Sequence, residues 1–161
     1  MFLELGANKF SGYVPFWIGE SLSELYALSL TSNNFFGTIP SQLCQLANLQ
    51  ILDLSTNNLN GAIPSCLNNI ISMGRDGFPH QNVHYFDFTF IDRSEYVDRA
   101  MIKWQGSLHE FSKTLGFLKI INLSSNNLTG KIPDELTDLK KLIALDLSMN
   151  AFVGEISSNI G

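Results

Sequence analysis

The sequence predicts an α/β-type solenoid in which short parallel β-strands stack on a concave face and one long insertion interrupts the coils. The first observation is a spaced pattern from Leu49 to Pro64, L-x-x-L-x-L-x-x-N-x-L-x-G-x-I-P. The second is its period, because Leu25 and Leu49 are 24 positions apart, as are Leu118 and Leu142. A period held over this many positions indicates stacked structural units rather than chance matches.

The pattern is that of a leucine-rich repeat with a plant-specific second half, built from coils of 24 residues. The same frame recurs at 25–40, 118–133 and 142–156, and residues 3–15 form a copy that lacks its first positions. One coil cannot bury its own leucines, so the coils must stack to form a core.

Within a coil, the leucines of the L-x-x-L-x-L segment are expected to point inward. Strand alternation then turns Gln50, Asp53 and Ser55 outward onto the concave surface. An asparagine follows each strand, and its amide can both donate and accept hydrogen bonds, which predicts a ladder between coils. The ladder residues are Asn8, Asn33, Asn57, Asn126 and Asn150. A glycine four positions after each asparagine suits a tight bend or a close backbone approach.

The bulk composition excludes some classes of protein. A net charge of −5 and a pI near 5.0 argue against nucleic-acid binding, for which a basic surface is expected. No apolar run is long enough to span a bilayer, and Met1 is not followed by a signal-peptide pattern. Neither end of the array has the polar cap that solenoids need. The sequence is therefore interpreted as an internal fragment of a longer protein.

The two cysteines, Cys44 and Cys66, fall at nearly equivalent offsets in neighbouring coils. Adjacent strands lie about 4.8 Å apart, and a disulfide needs Cα atoms within about 7 Å of each other. A bridge between the two is therefore feasible, and an even number of cysteines suits a secreted protein. The alternative is two buried free thiols that pack as small apolar side chains.

A segment without the repeat frame separates two blocks of coils. The predicted organisation is leucine-rich repeats at 1–72, an island insertion at 73–117 and leucine-rich repeats at 118–161. Alternation over 83–90 predicts a strand, and 96–104 predicts a second, so a small hairpin or sheet is expected. The segment is too aromatic to be disordered, and long insertions in compact arrays are usually functional. The island is expected to fold back on the concave side.

No motif for catalysis or for metal binding is present. The sequence lacks H-E-x-x-H, C-x-x-C, a glycine-rich phosphate loop and G-x-S-x-G. His80 and His84 are four positions apart but have no evident carboxylate or thiolate partners. The prediction is a non-enzymatic protein without metal or cofactor. The aromatic and charged residues of the island are typical of a recognition surface, although most of the aromatic residues must also pack the island onto the repeats.

Two N-x-S/T sequons predict glycosylation at Asn122 and Asn127. Both sequons arise within the repeat pattern. Asn127 follows a ladder residue and is expected to be exposed. Asn122 is expected to face outward from a strand, where a glycan would crowd the concave surface.

These features together resemble part of the ectodomain of plant leucine-rich-repeat receptor-like proteins, which are cell-surface receptors without a kinase domain. The resemblance includes PSQLCQLANLQILDLSTNNLNGAIPSCLNN, the island, and LKIINLSSNNLTGKIPDELTDLKKLIALDLSMN, and so covers nearly the whole chain. In this family the island carries a tyrosine, eight residues, and then Lys-Gly. Here Tyr96 is followed at the same spacing by Gln105-Gly106, so glutamine replaces the lysine.

The resemblance implies that the island and the nearby coils bind an extracellular peptide or protein elicitor and the ectodomain of a co-receptor kinase. The parent protein would be anchored in the plasma membrane, with this region on the extracellular side. The expected partner-binding residues are Tyr85, Phe88, Tyr96, Asp98, Arg99, Lys103, Trp104, Gln105 and Gly106. The island is shorter than that of the brassinosteroid receptor, which ranks a small-molecule pocket below a protein or peptide surface.

Two other interpretations stay open at this point. One is a secreted leucine-rich-repeat inhibitor of a microbial wall-degrading enzyme, which would act through the concave face. The other is a truncated gene product without independent activity. The concave residues follow no ligand-specific pattern that would identify the ligand; they include Tyr26, Ser29, Asp53, Lys119 and Asp146.

Overall fold

A computed structural model of the chain describes residues 1–74, 100–104, 107–111 and 118–158. In this part of the chain, each coil contributes one strand to each of two parallel sheets. The first sheet, in spatial order, contains Phe2–Glu4 (β1), Ala27–Ser29 (β3), Ile51–Asp53 (β5), Ile120–Asn122 (β9) and Ala144–Asp146 (β11). The second contains Ser11–Tyr13 (β2), Asn34–Gly37 (β4), Asn58–Gly61 (β6), Asn127–Gly130 (β10) and Ala151–Phe152 (β12). The chain is therefore a leucine-rich-repeat solenoid, as the repeat frame predicts.

The core runs along the inside of the coils. Leu49, Leu52 and Leu54 are all fully buried, and so is Leu59 from the second sheet. The apolar residues at the equivalent positions of the neighbouring coils pack with these leucines in one continuous hydrophobic core. The strand residues between these leucines point to the other face of the first sheet.

Short helical segments follow the second-sheet strands β2, β4, β6 and β10. They are the helices Trp17–Ser21 (α1) and Ile71–Gly74 (α2) and the 3-10 helices Ser41–Gln45, Ser65–Asn69 and Asp134–Asp138. Each 3-10 helix follows a proline in an extended conformation, which has no N–H to continue a strand ladder. A disulfide joins Cys44 to Cys66, whose Cα atoms are 5.8 Å apart, and so links the first two 3-10 helices.

The predicted asparagine ladder is present and joins each coil to the preceding one. The Asn57 amide donates to the carbonyls of Leu30 at 3.0 Å and Leu54 at 3.1 Å, and its oxygen accepts from the Phe35 N–H at 3.0 Å. Asn33, Asn126 and Asn150 make the same set of bonds in their coils. Each buried amide therefore pairs backbone groups from two coils.

The backbone beside each ladder residue adopts a left-handed conformation. The residue before each ladder asparagine has φ between 54° and 57°; these residues are Ala7, Ser32, Thr56, Ser125 and Met149. This conformation is unfavourable for a residue with a Cβ, by about 1–2 kcal/mol. The glycine four positions after each asparagine also has positive φ, for example 76° at Gly61, as a bend that favours glycine requires.

The solenoid continues directly across the insertion. Strand β5 pairs in parallel with β9, so that Ile51 lies beside Ile120. The Asn126 amide donates to the Leu54 carbonyl at 3.0 Å, and on the opposite side the Lys141 N–H donates to the Met73 carbonyl at 2.9 Å. The coils before and after the insertion are therefore neighbours in both sheets and in the core.

Within the insertion the structure describes one antiparallel hairpin. Ala100–Trp104 (β7) pairs with Ser107–Phe111 (β8), from Ala100 opposite Phe111 to Trp104 opposite Ser107. Strand β7 lies within the segment 96–104 for which the sequence predicts a strand. The other predicted strand, 83–90, lies outside the described residues.

Removal of a ladder amide should destabilise the chain strongly. In Asn57→Ala, the buried Phe35 N–H loses its partner, whereas the Leu30 and Leu54 carbonyls keep the amides of Asn33 and Asn126. A buried group left unpaired costs about 1–3 kcal/mol. We expect a loss of roughly 1–3 kcal/mol in the free energy of unfolding, measured by urea denaturation. Asn8→Ala is the matched control because Asn8 is exposed and bonds only within its own coil. Equal losses in the two variants would contradict the inter-coil role.

Candidate functional site

The structure describes only part of the island predicted to bind partners. Lys103 and Trp104 lie at the end of β7, opposite Leu108 and Ser107 of β8. The other seven expected residues lie outside the described residues: Tyr85, Phe88, Tyr96, Asp98, Arg99, Gln105 and Gly106. His80, His84 and the expected fold-back of the island on the concave side also lie outside them.

The point where the chain returns from the insertion is well defined. Leu118 is half-buried and packs against a small apolar cluster formed by Ala27, Ile51 and Ile120. This cluster is separate from the leucine core and lies on the outer face of the first sheet, which corresponds to the predicted concave face. The first residue after the insertion, Leu118, therefore lies against this outer face.

An apolar row crosses the outer face of the first sheet. Register aligns its members from one edge strand to the other: Phe2, Ala27, Ile51, Ile120 and Ala144. The repeat frame alone does not predict this row, because the leucines that define the frame point inward. The signal was available, since the residue before the second leucine of the frame is apolar in all five coils.

A polar row runs beside it, two residues further along each strand. Its members are Glu4, Ser29, Asp53, Asn122 and Asp146. The side chains of Asp53, Asn122 and Asp146 each accept a hydrogen bond from the N–H two residues later, at 3.0–3.1 Å, and Glu4 does the same at 2.8 Å. Such local bonds turn the backbone out of a strand. The acidic residues of this row thus have a structural use in ending the strands.

The outer face is closed to solvent at its centre. Ile51 and Asn122 are 1% exposed and Asp53 is fully buried, whereas the residues of β1 and β11 are half-buried. Asp53 and Ser55 point away from the leucine core as expected, but neither is accessible, and Gln50 is half-buried. Of the other concave residues considered, Ser29 is buried, and Tyr26, Lys119 and Asp146 are half-buried.

The Glu4 carboxyl group, also on this face, has a shifted pKa. Partial burial raises its pKa above the ordinary value of 4.5, and the hydrogen bond from the Gly6 N–H opposes this shift. Desolvation disfavours the charged carboxylate and is the larger effect. The negative charge of Glu4 therefore costs stability near neutral pH.

The two predicted glycosylation sites differ sharply in accessibility. Asn122 is 1% exposed, and its side-chain oxygen accepts hydrogen bonds from the N–H and hydroxyl of Ser124 at 3.1 and 2.8 Å. This burial disfavours a glycan on Asn122, and glycosylation at either asparagine stays a prediction. Asn127 and Thr129 are both exposed on the second sheet.

The described part of the chain shows no arrangement for metal chemistry or membrane insertion. No group of three His, Cys, Asp or Glu residues in it could hold a metal ion. Among the same residues, none of the helices has the length and apolar character needed to cross a bilayer.

Comparisons with known proteins agree with the repeat architecture. Residues 24–46, 48–70 and 117–139 match the family model described as Leucine Rich Repeat. The chain is 44% identical over 145 residues to Receptor-like protein EIX2 of Solanum lycopersicum, covering 89% of this chain and 14% of that protein. It is 36% identical over 157 residues to Receptor like protein 26 of Arabidopsis thaliana, covering 90% of this chain and 18% of that protein. The chain thus spans less than a fifth of the length of these relatives.

Solved structures give the same result for the fold. The complex of the Arabidopsis receptor kinase HAESA with the peptide hormone IDA and the co-receptor SERK1 matches with a TM-score of 0.67 and 28% identity, covering 99% of this chain and 19% of that chain. The PEPR1–AtPEP1 structure matches with a TM-score of 0.67 and 34% identity, covering 98% of this chain and 16% of that chain.

The pH dependence of the protein's stability should include a contribution from the raised pKa of Glu4. A carboxyl whose folded-state pKa is raised stabilises the protein below its unfolded-state pKa, and this stabilisation is lost as pH rises through the folded-state value. Glu4→Gln keeps an acceptor for the Gly6 N–H without the charge. We expect a higher thermal unfolding midpoint than wild type at neutral pH, with the difference vanishing below the ordinary pKa of 4.5. Exposed Glu155→Gln is the control, and a pH-independent gain at Glu4 would contradict the electrostatic cause.

Glycan occupancy should follow exposure. When the chain is secreted from a eukaryotic host, we expect one N-glycan, on Asn127. Its mass should disappear in Asn127→Gln and be unchanged in Asn122→Gln, as read by intact-mass spectrometry before and after enzymatic deglycosylation. A glycan on Asn122 in the folded, secreted protein would contradict the burial of that residue.

Proposed function

Since the chain belongs to the plant leucine-rich-repeat receptor-like proteins, we propose that it is the ligand-recognition segment of a cell-surface receptor ectodomain. In this proposal it binds an extracellular peptide or protein elicitor together with a co-receptor kinase ectodomain. The parent protein is anchored in the plasma membrane and presents this segment outside the cell. No catalytic step is assigned to it.

The direct stacking of coils across the insertion is the observation that carries the proposal. Because β5 and β9 pair with each other, the solenoid gains nothing in continuity from the residues between Gly74 and Leu118. A long segment that the scaffold does not need is expected to serve recognition. We therefore assign partner binding to the island, residues 73–117, and scaffolding to the repeats at 1–72 and 118–161.

The return of the insertion at Leu118 supports a recognition surface beside the outer face of the first sheet. Leu118 packs on Ile51 and Ile120, at the buried centre of that face. Access is greater towards β11, where Asp146 is half-buried and Ile143 is 63% exposed. A partner would thus contact the island together with the coils that follow it.

The nature of the partners is supported by the neighbours of known structure. The HAESA structure is a complex with a peptide hormone and a co-receptor. The PEPR1 structure also contains AtPEP1. We propose the same two classes of partner for this chain, a peptide or protein ligand and a co-receptor ectodomain. The Cys44–Cys66 disulfide and the exposed sequon at Asn127 suit the oxidising, extracellular compartment in which such a complex would form.

Two aromatic residues of the island should be energetically dominant contacts. In the full-length receptor, Tyr96→Ala and Trp104→Ala should each weaken ligand-dependent association with the co-receptor by about tenfold or more, as hot-spot aromatics do. Co-precipitation from plant membranes and the downstream signal provide the measurements, normalised to surface abundance.

The matched control is Trp17→Ala, since Trp17 is 49% exposed on the helical side of the solenoid. It should leave both association and signalling unchanged. Normal association and signalling by both island variants at normal surface abundance would contradict the assignment of binding to the island.

A further inference from the structure

The outward face of the second sheet differs in chemistry from the rest of the surface. Charged residues make up 16% of the chain, yet none occurs in β2, β4, β6, β10 or β12. The outward side chains of the first four of these strands are all exposed: Ser11, Tyr13, Asn34, Phe36, Asn58, Asn60, Asn127 and Thr129. This face therefore offers an uncharged array of amides, hydroxyls and two aromatic rings.

The two aromatic rings form a pair on neighbouring strands. Tyr13 is 72% exposed and Phe36 is 43% exposed, and their ring centroids are 5.0 Å apart at an interplanar angle of 60°. An edge of the Tyr13 ring fills the space over Gly37, where a Cβ would come within 2.5 Å of Cδ1. The Tyr13 ring can pack here because Gly37 has no Cβ. Most of the surface of the Tyr13 side chain remains exposed to solvent.

The packing of a side chain over Gly37 does not require an aromatic ring. In the next coils the equivalent position is Thr38, which lies over Gly61, and Ala62, which lies over Gly130. A small side chain performs the same packing there. The size and exposure of Tyr13 are therefore not explained by the architecture of the coil.

Free amides flank the aromatic pair. Strand register places Asn58 beside Phe36 and Asn34 beside Ser11. Within the part of the chain that the structure describes, the side chains of Asn34 and Asn58 form no hydrogen bond. We call the set Ser11, Tyr13, Asn34, Phe36 and Asn58 the lateral patch.

We propose that the lateral patch binds an uncharged, β-linked hexose oligosaccharide. A β-linked pyranose with equatorial hydroxyls has a flat C–H face that can pack on an aromatic ring, and hydroxyls at its rim that need both donors and acceptors. An amide supplies both. Successive strands are about 4.8 Å apart, close to the length of one pyranose residue, so neighbouring sugars meet neighbouring strands.

The charge pattern favours this class of ligand. The patch contains no group that would pair with a phosphate, a carboxylate or an ammonium ion, and electrostatic complementarity is the usual source of specificity for charged partners. The site lies on the second sheet and includes no residue of the island, so this inference does not depend on the receptor proposal.

The test is isothermal titration of the whole, unglycosylated chain with cellohexaose. Tyr13→Thr is the principal variant because threonine already fills the same space in the next coil, so the fold should be retained. We expect its affinity to fall by about tenfold, that of Phe36→Ala to fall similarly, and that of Tyr13→Phe to stay close to wild type. Phe16→Ala, which removes an aromatic ring that is 56% exposed outside the patch, is the control and should bind normally.

Absence of cellohexaose binding by wild type would overturn the proposal, and so would equal affinity in wild type, Tyr13→Thr and Phe36→Ala. Equal loss in Phe16→Ala would also overturn it, because binding would then be non-specific adsorption to aromatic residues. None of these results bears on the peptide and co-receptor proposal, which is read from signalling by island variants.

Discussion

The solenoid depends on the asparagines that follow the first-sheet strands and bond to the preceding coil, of which Asn57 is an example. Its amide holds carbonyls of its own coil and of the preceding coil, and its oxygen holds an N–H of the preceding coil. These bonds fix the distance between coils and sustain a left-handed residue beside each asparagine, at φ near 55° in every coil. The leucine core then fills the space that this spacing defines.

The same interaction explains how the fold accommodates a long insertion. Asn126 donates to the Leu54 carbonyl across 72 sequence positions at 3.0 Å, and Asn57 donates to Leu30 across 27 positions at the same distance. The ladder bonds require only that two coils lie side by side. They do not depend on how many residues connect those coils. Closing a longer loop costs little additional free energy, so evolution can place recognition elements there without loss of the scaffold.

The repeat frame contains enough information to predict the strands of the first sheet, the inward leucines, the ladder and the glycine bends, because each is a contact that recurs with the period. It did not predict the second sheet, whose strands have only two to four residues and lack a hydrophobic alternation long enough to detect. It also did not predict the burial of Asp53 and Asn122. Burial of a residue on the outer face depends on its surroundings there. The repeat frame describes contacts within and between coils and does not specify those surroundings. For the same reason the partner-binding role of the island rests on resemblance.

The ladder also has a direction, and this bears on how the chain folds as it is made. The amides of Asn33, Asn57, Asn126 and Asn150 all reach back to the coil that precedes them in sequence. Each of these coils is therefore synthesised after the coil that it binds. Synthesis from the N-terminus therefore favours sequential addition of coils. Only at the insertion does the Leu54 carbonyl, which already accepts from Asn57 of its own coil, wait for its inter-coil donor until Asn126 has been translated. That pause exposes the growing edge of the sheet, which makes the insertion the stage of biogenesis at which a chaperone is most needed.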